Sequence, residues 1–191
     1  MNKKEKAIKS PIQSAFLKAN TKNELLVIDI PKNLANEIPV GSQVKIKIEV
    51  DSNPPSSFDT EVKYLLNPVP FSVKLVKLPY MFAGKMHSIL YRNWKNRVKG
   101  RDWYDLVWFI SNYPELSLTH LKERMIQTKS IKEDEELTFT KLKEIYIEIV
   151  SRINIEQAKK DVFPFLKDPS VLDIWSKDFF ISIFDQIKPI E

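Results

Sequence analysis

Six residues carry the chemistry this sequence offers: Glu49, Lys85, Arg92, Arg101, Asp102 and Asp105. Lys85 and Arg92 stand seven positions apart in KMHSILYR. On a helix they lie nearly above one another along one flank, with Ser88 on the same side. Arg101, Asp102 and Asp105 open RDWYDLVWFI, in which seven of the eight residues from Trp103 to Ile110 are apolar. At about 100° per residue, the three charged groups share an arc of about 100° at the helix start. A lysine supplies a point charge and an arginine a planar fork, and phosphate recognition uses both shapes.

Asp105 sets the problem. A buried, unpaired carboxylate costs several kcal/mol or takes up a proton, so it needs a cation, a metal or the helix end. Two readings are open on physical grounds. In the first, Asp102 is an N-cap and Asp105 closes a capping-box-like turn, with both carboxylates favoured by the helix dipole. In the second, the Lys85 helix packs beside the next one, and Lys85 and Arg101 face a common cleft beside the strands. Asp102 or Asp105 then holds those cations in place.

The elements that must position these groups are legible in outline. NELLVIDI (Asn23–Ile30) is an apolar run ending at Pro31 and predicts a strand, and PKNLANEI predicts a short helix. VKIKIEVD (Val44–Asp51) alternates strictly, with Val44, Ile46, Ile48 and Val50 on one side. That period predicts a half-buried strand with Lys45, Lys47, Glu49 and Asp51 on its polar face. SNPPSS is a turn or loop, and TEVKYLL and FSVKLVKL flank NPVP as further strands. After Pro79 the pattern becomes helical. YMFAGKMHSILYRNW places Phe82, Met86, Ile89 and Leu90 on one side. RDWYDLVWFISN, LSLTHLKERMIQT, TFTKLKEIYIEIVSRI and NIEQAKKDVFPFL follow, the last interrupted by Pro164, and a final helix spans about Ser170 to Ile187 in one or two pieces. Strands first and helices after predict the α+β class. The expected division is a strand-rich lobe over 1–79 and a helical domain over 80–191, with its seam near Pro79.

Composition narrows the partners. The net charge of +5 is unevenly spread: residues 1–101 hold 18 Lys/Arg and 8 Asp/Glu, whereas 102–191 hold 12 and 17. From Val62 to Arg101 there are nine basic residues and no acidic one. Such a one-signed tract favours anionic ligands, nucleic acid and nucleotides among them, or an acidic partner surface. The absence of cysteine removes disulfides and thiolate metal sites. The basic start has no apolar run behind it, so neither a signal peptide nor a membrane anchor is expected, and the cytoplasm is the expected location. Three glycines make no phosphate-cradling glycine loop, and His87 and His120 have no metal-ligand spacing. Trp94, Trp103, Trp108 and Trp175 read as packing residues, with Trp94 the best placed for base stacking beside cations.

A lysine helix with K-x-H, followed after a basic loop by R-D-x-x-D, resembles the abortive-infection AbiE-type toxins of the AbiEii/AbiGii family. These are nucleotidyltransferase-fold proteins of bacterial toxin–antitoxin and phage-defence systems. The likeness is clearest in PYMFAGKMHSILYR and KGRDWYDLVWFI, and looser in VKIKIEVD and the later helices. It implies a partial nucleotidyltransferase-like mixed sheet followed by a helical bundle. It also implies that Glu49 is the third carboxylate of the sheet, a metal ligand or base. Lys85 would lie near the nucleotide phosphates with Arg92 and Arg101, and Asp102 and Asp105 would orient the cations. The implied reaction moves a nucleotidyl group from an NTP to an RNA or protein acceptor with Mg²⁺, and the implied partner is a cognate antitoxin.

One departure bears on activity. Such enzymes open with Gly-Ser and then Asp-x-Asp, whose carboxylates bind the two metal ions. This chain has no Asp-x-Asp, and Gly41-Ser42 with Glu49-Val50-Asp51 is a poor imitation. Only six residues separate Ser42 from Glu49, and they read as continuous strand. The chain is therefore expected to begin after the metal-binding motif. Alone it would be weakly active or inactive, with the missing ligands supplied by a complementing N-terminal chain. The alternative is a non-catalytic basic module that binds nucleic acid or an acidic antitoxin.

Overall fold

A computed structural model describes residues 12–20, 39, 41–67, 69–92 and 98–191, with 12–20 and 44–46 given by backbone alone. The strand expected over Asn23–Ile30, the helix expected in PKNLANEI, and Trp94 lie outside the described residues. The chain divides into two compact units, Met1–Pro54 and Pro55–Glu191. The class is α+β, with strands leading and helices following.

In the first unit, β1 (Ile12–Asn20) pairs antiparallel with β2 (Gln43–Asp51), and Ser14 stands opposite Glu49. The alternation of VKIKIEVD does give a strand. However, Ile48 and Val50 are exposed, not half-buried. Among the described residues this unit offers β1 and β2 alone, and two strands by themselves bury little of either face. β1 was not foreseen, because IQSAFLKAN lacks a clean period of two.

The second unit opens with β3 (Thr60–Leu65) and β4 (Phe71–Val76), an antiparallel hairpin in which Leu65 faces Phe71. Val62, Tyr64 and Phe71 are all exposed on it. Asp59 and Lys77 close its open end through a backbone bond of 3.0 Å and an ion pair of 3.0 Å. Among the described residues the strands thus form separate two-stranded ladders where a mixed sheet was expected, and the parallel pairing arises in the helical part.

Helix α1 (Leu78–Tyr91) starts with Pro79 in its first turn, where the missing N–H costs nothing. It buries Phe82, Ala83, Met86, Ile89 and Leu90, the stripe its sequence spacing requires. Helix α2 (Gly100–Asn112) buries Trp103, Leu106, Phe109 and Ile110, while Tyr104 and Trp108 face outward. Phe82 stacks on Phe109 with ring centroids 4.9 Å apart, which joins the two helices. A short strand, β5 (Glu115–Ser117), leads into α3 (Leu118–Gln127). α4 (Phe139–Arg152), α5 (Ile155–Val162) and α6 (Lys177–Phe184) complete the helices, and β6 (Lys188–Ile190) returns parallel to β5. Ser117, Thr138, Asn154 and Ser176 cap α3 to α6, each accepting a backbone N–H three residues on. Such a cap contributes about 1 kcal/mol. After α5, Phe163–Phe165 continues as one 3₁₀ turn around Pro164, and a second turn spans Pro169–Leu172. The core is sealed by aromatic contacts. Trp103 meets Phe180 edge-on at 4.9 Å, and the Tyr146 hydroxyl donates to the Phe180 carbonyl at 3.0 Å. No helix among the described residues is long and apolar enough to cross a membrane.

Candidate functional site

The charged residues of α1 and α2 meet where the two helices pack. Asp102 is buried in the first turn of α2, with its side chain 5% exposed. Arg92 Nη1 donates to its Oδ2 at 3.0 Å. Lys99 Nζ lies 3.2 Å from its Oδ1, and Lys85 Nζ lies 3.8 Å from the same atom. Lys85 also donates to Asp105 Oδ2. The seven-residue spacing of Lys85 and Arg92 therefore brings both to one carboxylate on the neighbouring helix, as their shared flank implied.

Asp102 does not cap α2. The N-cap is Lys99, whose side chain makes no capping hydrogen bond, and Asp102 sits three positions into the helix. The capping-box reading is overturned, because the carboxylate is turned onto cations from α1 and from the preceding loop. Arg101 also departs from expectation. Among the described residues it pairs with no carboxylate; its guanidinium lies over the Phe165 ring, 4.8 Å from the centroid. A cation–π contact of this kind holds the head group in place without neutralising it.

These side chains line an open hollow of about 390 Å³. Lys85, Lys99, Arg101, Asp102 and Asp105 form its charged side, and Tyr104, Val162, Phe165 and Leu166 complete it. The size falls in the usual range of ligand pockets. A close approach of two backbones fixes the width. A Cβ added at Gly100 would lie 2.0 Å from the carbonyl oxygen of Ala158 and 2.8 Å from Val162 Cγ2. Only glycine lets the start of α2 press against α5, and that contact brings the wall after α5 up to the cations.

Sequence reasoning missed Lys99 and Phe165. Lys99 was one basic residue among several in KNRVKG, and nothing in the string marked it as facing Asp102. Phe165 follows a proline within a helical pattern, which signals a break but not what the ring touches.

Glu49 lies on β2 in the first unit, half-exposed and ion-paired with Lys47. The fit to Mg²⁺ is poor among the described residues. Asp102 and Asp105 are engaged with ammonium and guanidinium groups, and no three His, Asp or Glu side chains are grouped to hold a metal. The described arrangement suits a polyanion at the cations better than a cation at the carboxylates.

Both histidines are structural. His120 is 1% exposed and sits between Phe58 and Tyr80, edge-on to each. Arg124 Nε donates to its Nε2 at 2.9 Å, so the other nitrogen carries the proton and donates to the Ser56 carbonyl at 2.8 Å. Burial and Arg124 lower its pKa. His87 lies 3.0 Å from Thr128 Oγ1, and burial, with Arg124 and Arg92 nearby, pulls its pKa down to about 4.

A family model described as nucleotidyl transferase AbiEii toxin, Type IV TA system, matches residues 3–179. No curated protein and no solved structure matches the chain.

Proposed function

We propose, since the chain belongs to the AbiEii nucleotidyl transferase toxin family of type IV toxin–antitoxin systems, that it is a toxin component whose hollow at the start of α2 binds the polyphosphate of an NTP. Lys85, Lys99 and Arg101 take the phosphate oxygens. Arg92 neutralises Asp102 from behind, and Asp105 sets the position of Lys85. The observation that carries this reading is Arg101, a cation unmatched by any carboxylate among the described residues, held at an open hollow beside Lys85 and Lys99.

The reaction of this class is nucleotidyl transfer. An acceptor hydroxyl oxygen bonds to the α-phosphorus, the bond from that phosphorus to the bridging oxygen of the β-phosphate breaks, and pyrophosphate leaves with the negative charge. Glu49 is the in-chain carboxylate proposed for a metal or for the acceptor's proton. The acceptor is RNA or protein, and the family implies an antitoxin partner. The chain alone transfers little. It contains no Asp-x-Asp, and its hollow sets three cations against two carboxylates, a weak surplus for a triphosphate. A complementing chain would supply the missing metal ligands.

The test combines binding with transfer. Ligand-observed NMR with inorganic triphosphate should report weak binding to the purified protein and none to Lys85→Ala. Radiolabelled NTP, Mg²⁺ and total RNA should yield little labelled product. Robust transfer by the chain alone would overturn the claim of low activity, and equal triphosphate binding by Lys85→Ala would remove the phosphate site.

A second reading rests on the acid-free tract from Val62 to Arg101, which exposes Lys63, Lys74 and Lys77 on and beside the β3–β4 hairpin. It makes the protein a non-catalytic module that binds nucleic acid or an acidic antitoxin. Nucleic-acid binding of that kind weakens linearly in a log–log salt plot, and Lys85→Ala would leave the slope almost unchanged.

A further inference from the structure

Residues 55–59 open the second unit, just past its boundary with the first. They belong to no helix or strand, yet Pro55 is buried and Phe58 is partly buried. Side chains must therefore hold the segment, and His120 of α3 is the centre of those contacts. Its Nδ1–H meets the Ser56 carbonyl, and the Phe58 ring lies edge-on to the imidazole with centroids 5.6 Å apart. Beside it, Ser56 Oγ donates to Glu123 at 3.2 Å, and Asp59 pairs with Lys77. The ring is also fixed from its other side. Tyr80 of α1 packs edge-on at 5.7 Å, and Arg124 Nε donates to Nε2. The Arg124 guanidinium in turn lies against α1, with its Cζ 3.3 Å from where a Cβ on Gly84 would stand. Both imidazole nitrogens are thus committed, and only the neutral ring with its proton on Nδ1 serves both partners. A second proton would land on Nε2. It would abolish the acceptor for Arg124 and set an imidazolium against a guanidinium in a buried site.

We infer that residues 55–59 form a clasped strap with His120 as its catch: the neutral imidazole fastens the strap to α1 and α3, and protonation at Nε2 lets it go. The groups around the ring set the sign. Burial and Arg124 disfavour the charged ring, whereas Glu123 and the backbone of Ser56 and Ser57 favour it. Tyr80 presents a neutral ring, with Asp59 and Lys77 beyond it paired to each other. His87 of α1 faces the same Arg124 and is itself held neutral. The balance favours the neutral His120 ring, so the clasp is closed at neutral pH and opens as pH falls below the ordinary histidine range. An opened strap lengthens the connection between the two units by its own residues.

Thiol labelling of the full chain tests this, since the sequence has no cysteine of its own. Pro55→Cys places a thiol at the buried position of the strap, and Val150→Cys places one in α4, where burial is complete, as a monitor of global opening. Each is labelled with 4,4′-dithiodipyridine between about pH 7 and about pH 5, against the urea-unfolded chain at the same pH. The thiol at position 55 should lose protection by up to about tenfold per pH unit, while the thiol at position 150 stays protected. Adding His120→Gln, whose amide can donate to Ser56 and accept from Arg124, should abolish that pH dependence. His120→Ala should leave position 55 unprotected at neutral pH, and His87→Gln should leave the pH dependence in place. Equal loss of protection at positions 55 and 150 would overturn the proposal, as would a pH dependence that survives His120→Gln or vanishes in His87→Gln. Nitrogen NMR of the unsubstituted chain gives an independent check: a neutral His120 with its proton on Nε2 would overturn the catch as well.

Discussion

Asp102 and Glu49 are both carboxylates beside lysines, yet they belong to different physical regimes. Asp102 is 5% exposed and gathers Arg92, Lys99 and the more distant Lys85. Glu49 is about half-exposed on a two-stranded ladder, as is its lysine neighbour Lys47. An exposed pair contributes 0–1 kcal/mol, whereas breaking a buried one typically costs about 3–5 kcal/mol. The same residue type therefore organises structure in one place and stays half-exposed to solvent in the other. In the helical unit the charges are part of the packing. On the ladder they are solvated and add little to stability.

The strongest test of the packed region is Gly100→Ala. Its methyl group meets a backbone carbonyl, which cannot rotate away, so the start of α2 must separate from α5. Destabilisation of about 3 kcal/mol is expected in urea melts. A change below about 1 kcal/mol would mean that the two helices are not pressed together.

Asp102→Ala comes next, at about 2 kcal/mol. That is below the usual figure for a buried pair, because Arg92 and Lys85, each 38% exposed, can regain water. If the loss matched that of an exposed pair, the contrast with Glu49 would fail.

Acidification should act on the helical unit with a smaller effect. The His87 pKa is lowered from 6.5 to about 4 in the folded chain, so the unfolded chain binds the extra proton first. Stability is full above about pH 6.5 and is lost as pH falls towards about 4. His120 is shifted in the same direction. The His87 contribution is about 1–2 kcal/mol, reduced from the full displacement because solvent screens a ring that is only partly buried. His87→Gln should flatten the urea midpoint between pH 7 and pH 4.5, and an unchanged slope would exclude His87 as a source.

Glu49→Gln should change stability least, by under about 0.5 kcal/mol. That makes it the cleanest probe of function: lost toxicity in this variant would come from chemistry and not from unfolding. A large drop in its melting temperature would contradict the solvated placement.

Periodicity made the helical half legible. Phe82, Met86, Ile89 and Leu90 were readable as a face because helical spacing repeats, and all four are buried. Alternation gave the β2 strand but not its burial, because a period of two identifies the face that seeks cover without supplying the cover. The pairing of β5 with β6 joins residues more than 70 positions apart and leaves no local trace. In the site, the shared flank of Lys85 and Arg92 was visible as a spacing. That Asp102 would take Arg92 and Lys99, leaving Arg101 to an aromatic ring, depends on how α2 rolls against α1 and α5. Side-chain type and spacing do not encode that roll.

At Gly100 a hydrogen stands where any other residue would place carbon, and the helices close to within that allowance. The pocket's aperture is thus governed by a missing methyl group. Enlarging position 100 would act as a shim, pushing the α5 side outward and drawing Phe165 off Arg101. A binding defect could then arise from a residue that never meets the ligand.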